Sequence, residues 1–159
     1  MEEVIFALFS INAQYIPKNL SQHEQKKAKA WVDKTYSSLS DDEKLGQLFI
    51  VALYNNRGDA HINDIRKLVV DEKIGGLILM QDNAEKHINL VNEFQLKSKV
   101  PMMIGMDAEW GIYQRISSAY KYPWAMTLGA IQDKNLIYEM ATKIAEDCKR
   151  MGVNWDFAP

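Results

Sequence analysis

The sequence predicts an α/β fold in which parallel strands alternate with helices, and three observations carry that prediction. Four short apolar runs, 48–53, 76–80, 102–106 and 153–157, have no helical period and suit strands buried on both faces. Between them, apolar residues recur on single helical faces: Ile62, Ile65, Leu68 and Val69; Ala84, Ile88, Val91 and Phe94; Ile137, Met140, Ala141, Ile144, Cys148 and Met151. The runs cannot be joined by tight hairpins, so the order β-α-β-α-β-α-β implies parallel strands with right-handed crossovers.

The elements follow in order. Residues 4–11 form an apolar run ending at Asn12, Ala13 and Gln14, which resembles the tail of a secretory signal with a small residue at the cut. Glu2 and Glu3 stand where a basic segment belongs, and the run is too short to span a bilayer. Residues 1–20 are therefore either a clipped signal, which places the protein outside the cytoplasm in the periplasm, or an apolar N-terminal extension. Residues 21–38 are rich in helix formers, with Trp31, Val32, Thr35 and Tyr36 expected to give that helix a buried side. Ser40 and Glu43 have the spacing of a capping box, so a short helix starts there and stops at Gly46. Gly75 and Gly76 precede the second strand, which puts their amides at the wrong end for an anion at a helix N-terminus. A tight turn after a helix ending near Lys73 explains them better.

Composition narrows the function classes. At 47% hydrophobic and 25% charged, the chain has apolar material for one globular core. A net charge of -2 with scattered lysines leaves no footprint for nucleic acid. The lone Cys148 excludes an internal disulfide and a paired-cysteine zinc cluster, and its place on an apolar helical face puts it in the core. His23, His61 and His87 fall in separate helices without metal-ligand spacing, so surface or capping roles are expected and no metal.

With all strands parallel, their C-terminal ends face one way, and both barrels and open doubly wound sheets bind ligands there. The segments to inspect are 54–57, 81–83 and 107–125. The connection from Asp107 to the N-cap candidate Asp133 is long, aperiodic and aromatic, with Trp110, Tyr113, Tyr120, Tyr122 and Trp124. Loops of that length in compact domains are functional or disordered, and the aromatic content argues for the ordered, functional choice.

Asp107 stands where the third apolar run ends, at the rim of a pocket with hydrophobic walls. A carboxylate there accepts hydrogen bonds from two neighbouring hydroxyls, each worth about 1.5–3 kcal/mol, and sugars offer such pairs. Arg115 can neutralise Asp107 or Glu109 or contact ligand oxygens, while Trp110 or Trp124 can offer an apolar face to a pyranose. The competing structural role is Asp107 capping the next turn and Glu109 pairing with Arg115 to order the loop. Asp107 and Glu109 are not a catalytic pair, because retaining glycosidases need carboxyls about 5–5.5 Å apart on opposite sides of the scissile bond. Asp156 is a weaker acidic candidate, equally well read as an inward barrel residue or a buried ion-pair partner.

Several ordered segments together carry a resemblance: 74–80 (IGGLILM), 99–111 (KVPMMIGMDAEWG) with Gln114 and Arg115, 122–130 (YPWAMTLGA) and 152–159 (GVNWDFAP). In order and spacing they resemble the N-terminal barrel domain of glycoside hydrolase family 3, from about Trp31 onward. The resemblance implies a retaining hydrolase that releases non-reducing terminal β-linked sugars through a covalent glycosyl-enzyme intermediate, without metal or organic cofactor. It implies that Asp107 binds hydroxyls of the terminal sugar and that Arg115 lines the same subsite, with Glu109 and Trp110 beside them. The commoner family pattern is Asp-Gln-Glu-Gly-Gly, and Ala108 and Trp110 depart from it toward N-acetylglucosaminidase-like members, often joined to a serine-hydrolase domain. The family's Lys-His segment and aspartate nucleophile match no residue here, so no catalytic residue is expected in this chain.

Four strands cannot close a barrel that needs about eight. The expectation is therefore the first half of a (β/α)8 barrel over 21–159, needing the remainder of the same polypeptide, inactive and poorly stable alone. Within the family a β-glucosidase is the alternative, and outside it a stand-alone α/β sugar-binding module using Asp107 and Trp110 without chemistry. A nucleotide-binding doubly wound domain would need a Gly-rich turn after its first strand, which is absent.

Overall fold

The computed structural model describes residues 21–158. The expected signal or extension at 1–20 lies outside the described residues. The chain divides into two compact units, 1–38 and 39–159.

Helix α1 (Gln22–Ser37) belongs to the first unit. Ser21 caps it: its side chain accepts from the Glu24 amide, and Glu24 accepts from the Ser21 amide in return. The expected buried side is not found. Trp31, Val32 and Tyr36 are all more than half exposed, and no residue of α1 is buried. Lysines interleave with that side, so the helix rests on its cap and on local pairs such as Lys29–Asp33 rather than on burial.

The second unit follows the predicted order. It runs α2 (Asp41–Gly46), β1 (Ile50–Leu53), α3 (Gly58–Val70), β2 (Gly76–Leu79), α4 (Ala84–Lys97), β3 (Met103–Met106), α5 (Ala125–Leu128), α6 (Lys134–Arg150) and β4 (Trp155–Asp156). The Ser40 capping box and the Asp133 cap stand where the sequence places them. All three strand pairings are parallel in the order β1-β2-β3-β4, with Ile50, Gly76 and Met103 in one row and Ala52, Ile78, Gly105 and Trp155 in the next.

The strands are shorter than the apolar runs for local reasons. Before β1, the Leu48 and Phe49 amides still bond back to Leu45 and Gly46 carbonyls, closing the last turn of α2. Before β4, the Asn154 side chain accepts from the Ile104 amide, occupying the position a strand carbonyl would take, so pairing starts one residue later.

Burial divides the sheet by alternation. Leu53, Leu77, Leu79, Ile104 and Met106 are fully buried against Ile62, Ile65 and Val69 of α3, Phe94 of α4 and Ile144 of α6. Each contributes about 1.5–3 kcal/mol through apolar burial. The opposite face is open: Ile50 is 38%, Met103 43% and Trp155 43% exposed. Burial on both faces, expected from the continuous apolar runs, is thus realised on the helix side alone among the described residues. Four strands of an unclosed sheet cannot cover their own inner face.

Candidate functional site

Asp107 follows β3 directly, and strand alternation carries it on the same face as Met103 and Gly105, the open face of the sheet, at the end where the strands terminate. Its Oδ2 accepts from Arg115 Nη2, and both side chains are mostly buried, 28% and 16% exposed. The sequence left Arg115 two acidic partners, and the structure gives it Asp107. Glu109 is exposed, and its backbone amide donates to Gln114 Oε1. Arg115 Nε is buried without a partner.

The loop that brings Arg115 back to Asp107 is ordered by short-range bonds. Gly111 donates its amide to Ala108 O, one turn of 3-10 helix spans Ile112–Gln114, and the Ile116 amide closes on Ile112 O. Gly111 sits at φ 84°, where a Cβ would stand 2.7 Å from the Tyr122 ring, so only glycine fits this turn. Tyr122 in turn donates its amide to Trp110 O. Trp110 and Trp124 lie 6.0 Å apart, and the Lys121 ammonium sits over the Tyr113 and Trp124 rings at 5.6 and 5.5 Å. Hydrogen bonds and ring contacts thus tie the long aromatic connection together.

Asp107 stands on the open face of the sheet, directly after β3. Grooves occur beside it: one lined by Asn55, Asp82, Asn83 and Lys86, another by Glu109, Met140, Cys148, Trp155 and Asp156. Neither is lined by Asp107, because four strands leave their inner face as a surface. Asp156 faces the second groove, where its Oδ1 accepts from the Ala108 amide at 2.9 Å. Loss of water raises its carboxyl above the usual range, the Asp107 and Glu109 charges add to that, and the Ala108 bond opposes it.

Of the histidines, His87 departs from the surface or capping role expected of it, whereas His61 takes a backbone partner. His87 is fully buried, with Nε2 2.6 Å from Met80 O and Nδ1 unpartnered. His61 Nε2 accepts from the Tyr54 amide at 3.1 Å, so it anchors the end of β1. Sequence reasoning also missed Asn55, a buried amide just beyond β1, and Asp82, beyond β2. Both lie in the strand-end segments worth inspecting, yet a lone Asn or Asp there carries no motif.

The family model for the glycosyl hydrolase family 3 N terminal domain matches residues 40–159. The chain belongs to glycoside hydrolase family 3. Among family relatives it is 29% identical over 130 residues to a β-N-acetylglucosaminidase/β-glucosidase of Cellulomonas fimi, covering 82% of this chain and 22% of the relative. It is 31% identical over 109 residues to β-hexosaminidase A of Pseudoalteromonas piscicida, covering 60% of this chain and 18% of the relative. The chain thus spans about a fifth of the length of the curated relatives it matches. Among solved structures, it superposes on a β-glucoside phosphorylase, BglX, bound to 2FGlc with a TM-score of 0.77 at 26% identity, covering 90% of this chain and 25% of that one. The four parallel strands and their helices correspond to the first half of the family's N-terminal barrel.

Proposed function

We propose that this chain supplies the terminal-sugar subsite of a retaining β-glycosidase, with N-acetylglucosamine as the preferred non-reducing sugar. The observation that carries this reading is the Asp107–Arg115 pair at the strand-end side of the open sheet face. In this reading the Asp107 carboxylate accepts hydrogen bonds from two sugar hydroxyls, and the Arg115 guanidinium beside it fixes its orientation. The similarity to enzymes named for N-acetylglucosaminide and hexosaminide hydrolysis supports the choice of sugar.

In this reading the nucleophile and the acid/base group come from further barrel strands of the parent polypeptide, and a Lys-His segment is among them. Asp107 and Glu109 are near neighbours on one strand end and cannot flank a scissile bond from opposite sides. The Cellulomonas fimi relative also carries the name β-glucosidase, so glucosides are the second reading.

The test is kinetic, on the full-length polypeptide with aryl N-acetyl-β-glucosaminide and aryl β-glucoside, each with and without inorganic phosphate. The N-acetylglucosaminide is expected to react faster, with water as acceptor. Asp107→Asn is expected to lose about 2–3 kcal/mol of transition-state binding in a protein that still folds cooperatively. Parent-like kinetics in that variant, or no turnover of either glycoside, overturns the assignment.

A further inference from the structure

We propose that Asn55, Asp82 and Ser117 form a positioning relay that holds the Arg115 arm against Asp107. This rests on the reading of Asp107 and Arg115 as the sugar subsite for its consequence in catalysis, though not for its geometry. The relay starts at Asn55, which is 2% exposed although it is an amide. Burial of such a group is costly unless its hydrogen bonds are made, and here they are. Asn55 Oδ1 accepts from the Asp82 amide at 2.9 Å and the Asn83 amide at 3.3 Å, and Nδ2 donates to Asn83 O at 2.7 Å. Its own backbone amide donates to Gln81 O. One side chain therefore bolts the end of β1 to the end of β2, a task that needs an acceptor and a donor on one planar group.

Asp82 passes the constraint on. Its Oδ1 accepts from both the amide and the hydroxyl of Ser117, at 3.1 and 3.0 Å. Ser117 lies two residues after Arg115 and directly after Ile116, which is 1% exposed. The long loop is thereby held at two points, by Asp107 at its root and by Asp82 beyond the arginine. Three successive strand ends act as one rigid mouth, and the guanidinium keeps one position over the sheet.

The experiment uses the full-length polypeptide with Asp82→Ala, Asp82→Asn and Ser117→Ala. Asp82→Ala removes the acceptor, Asp82→Asn keeps an amide oxygen in its place, and Ser117→Ala removes the hydroxyl bond alone. Two readouts are taken: the rate at which phenylglyoxal modifies Arg115 in the native protein, followed by peptide mass, and KM and kcat for an aryl N-acetyl-β-glucosaminide. Asp82→Ala is expected to raise Arg115 modification by about fivefold and KM by about tenfold with kcat changing less, a loss of positioned binding. Ser117→Ala shows a smaller effect in the same direction, and Asp82→Asn restores both readouts toward the parent. Parent-like modification of Arg115 in Asp82→Ala overturns the relay, as does an Asp82→Asn protein as impaired as the alanine variant. Faster Arg115 modification with unchanged kinetics, or in a parent that turns over no glycoside, upholds the relay and removes the sugar-subsite reading instead.

Discussion

Gly105 of β3 leaves the space over which the ring of Phe157 lies: a Cβ built on Gly105 would meet Phe157 Cε2 at 2.4 Å. Phe157 also stacks on Trp155 at 4.7 Å, so the absence of a side chain at Gly105 lets the aromatic pair after α6 settle across the neighbouring strand. Gly105→Ala is expected to destabilise by about 1–3 kcal/mol through overpacking. In the double variant with Phe157→Ala the two costs should fall short of additive, because the clash is gone. Chemical denaturation of the four proteins of this cycle checks it, and strict additivity would contradict the contact.

The described sheet ends in β1 and β4, and its inner face exposes Ile50, Met103 and Trp155. Unpaired strand edges beside an apolar face invite intermolecular pairing. The isolated chain of 159 residues is expected to self-associate and to hydrolyse no glycoside. Size-exclusion chromatography and an aryl-glycoside assay test this; a monomeric, cooperatively melting, active sample is the opposing outcome.

Glu93 on α4 accepts from Arg66 Nε at 2.6 Å and from Lys97 at 2.8 Å. The Arg66 bonds, then the Lys97 bond, hold its carboxyl down at about 2 against an ordinary 4.5. Because the folded value is depressed, the stabilisation is complete above pH 4.5 and is lost as pH falls toward 2. Glu93→Gln should cost about 1 kcal/mol near neutrality, solvent screening included, with the gap between variant and parent closing in acid. Urea midpoints across that range provide the measurement.

His87 responds to acid in a different window. Burial lowers its pKa from 6.5, partly offset by the bond to Met80 O. A buried base that resists protonation stabilises the fold fully above pH 6.5 and loses that contribution as pH falls toward its depressed folded value. His87→Gln should flatten the stability profile below pH 6.5. An unchanged slope there would argue that His87 does not titrate on unfolding.

Cys148 is 7% exposed, and burial first, then the Asp156 and Asp147 charges, push its thiol up to about 11. Thiolate is the reactive form, so iodoacetamide at neutral pH should leave the folded protein unlabelled and label it rapidly in denaturant. Mass spectrometry distinguishes the two states, and prompt labelling under native conditions would contradict the burial of the thiol.

Much of the fold was legible because it is local. Apolar runs without helical period marked β1 to β4, the face of Ile62, Ile65 and Val69 marked α3, and Ser40 with Glu43 announced α2 before any contact was known. The place of Asp107 was legible for a related reason: it is the first polar residue after an apolar run, which marks the C-terminal end of β3.

Periodicity, caps and motif spacing are written along the chain, so the kind and order of elements, the parallel sheet and the family could be read from it alone. Packing in three dimensions was needed to pair Arg115 with Asp107 rather than Glu109, to make Asn55 a buried hub, to seal His87 in the core and to bury one face of the strands. Those outcomes depend on strand register and on groups brought together from residues 28 and 35 positions apart, as between Asn55 and Asn83 or Asp82 and Ser117. A one-residue slip in register would turn every side chain to the other face, and no local pattern states which register the packed sheet adopts.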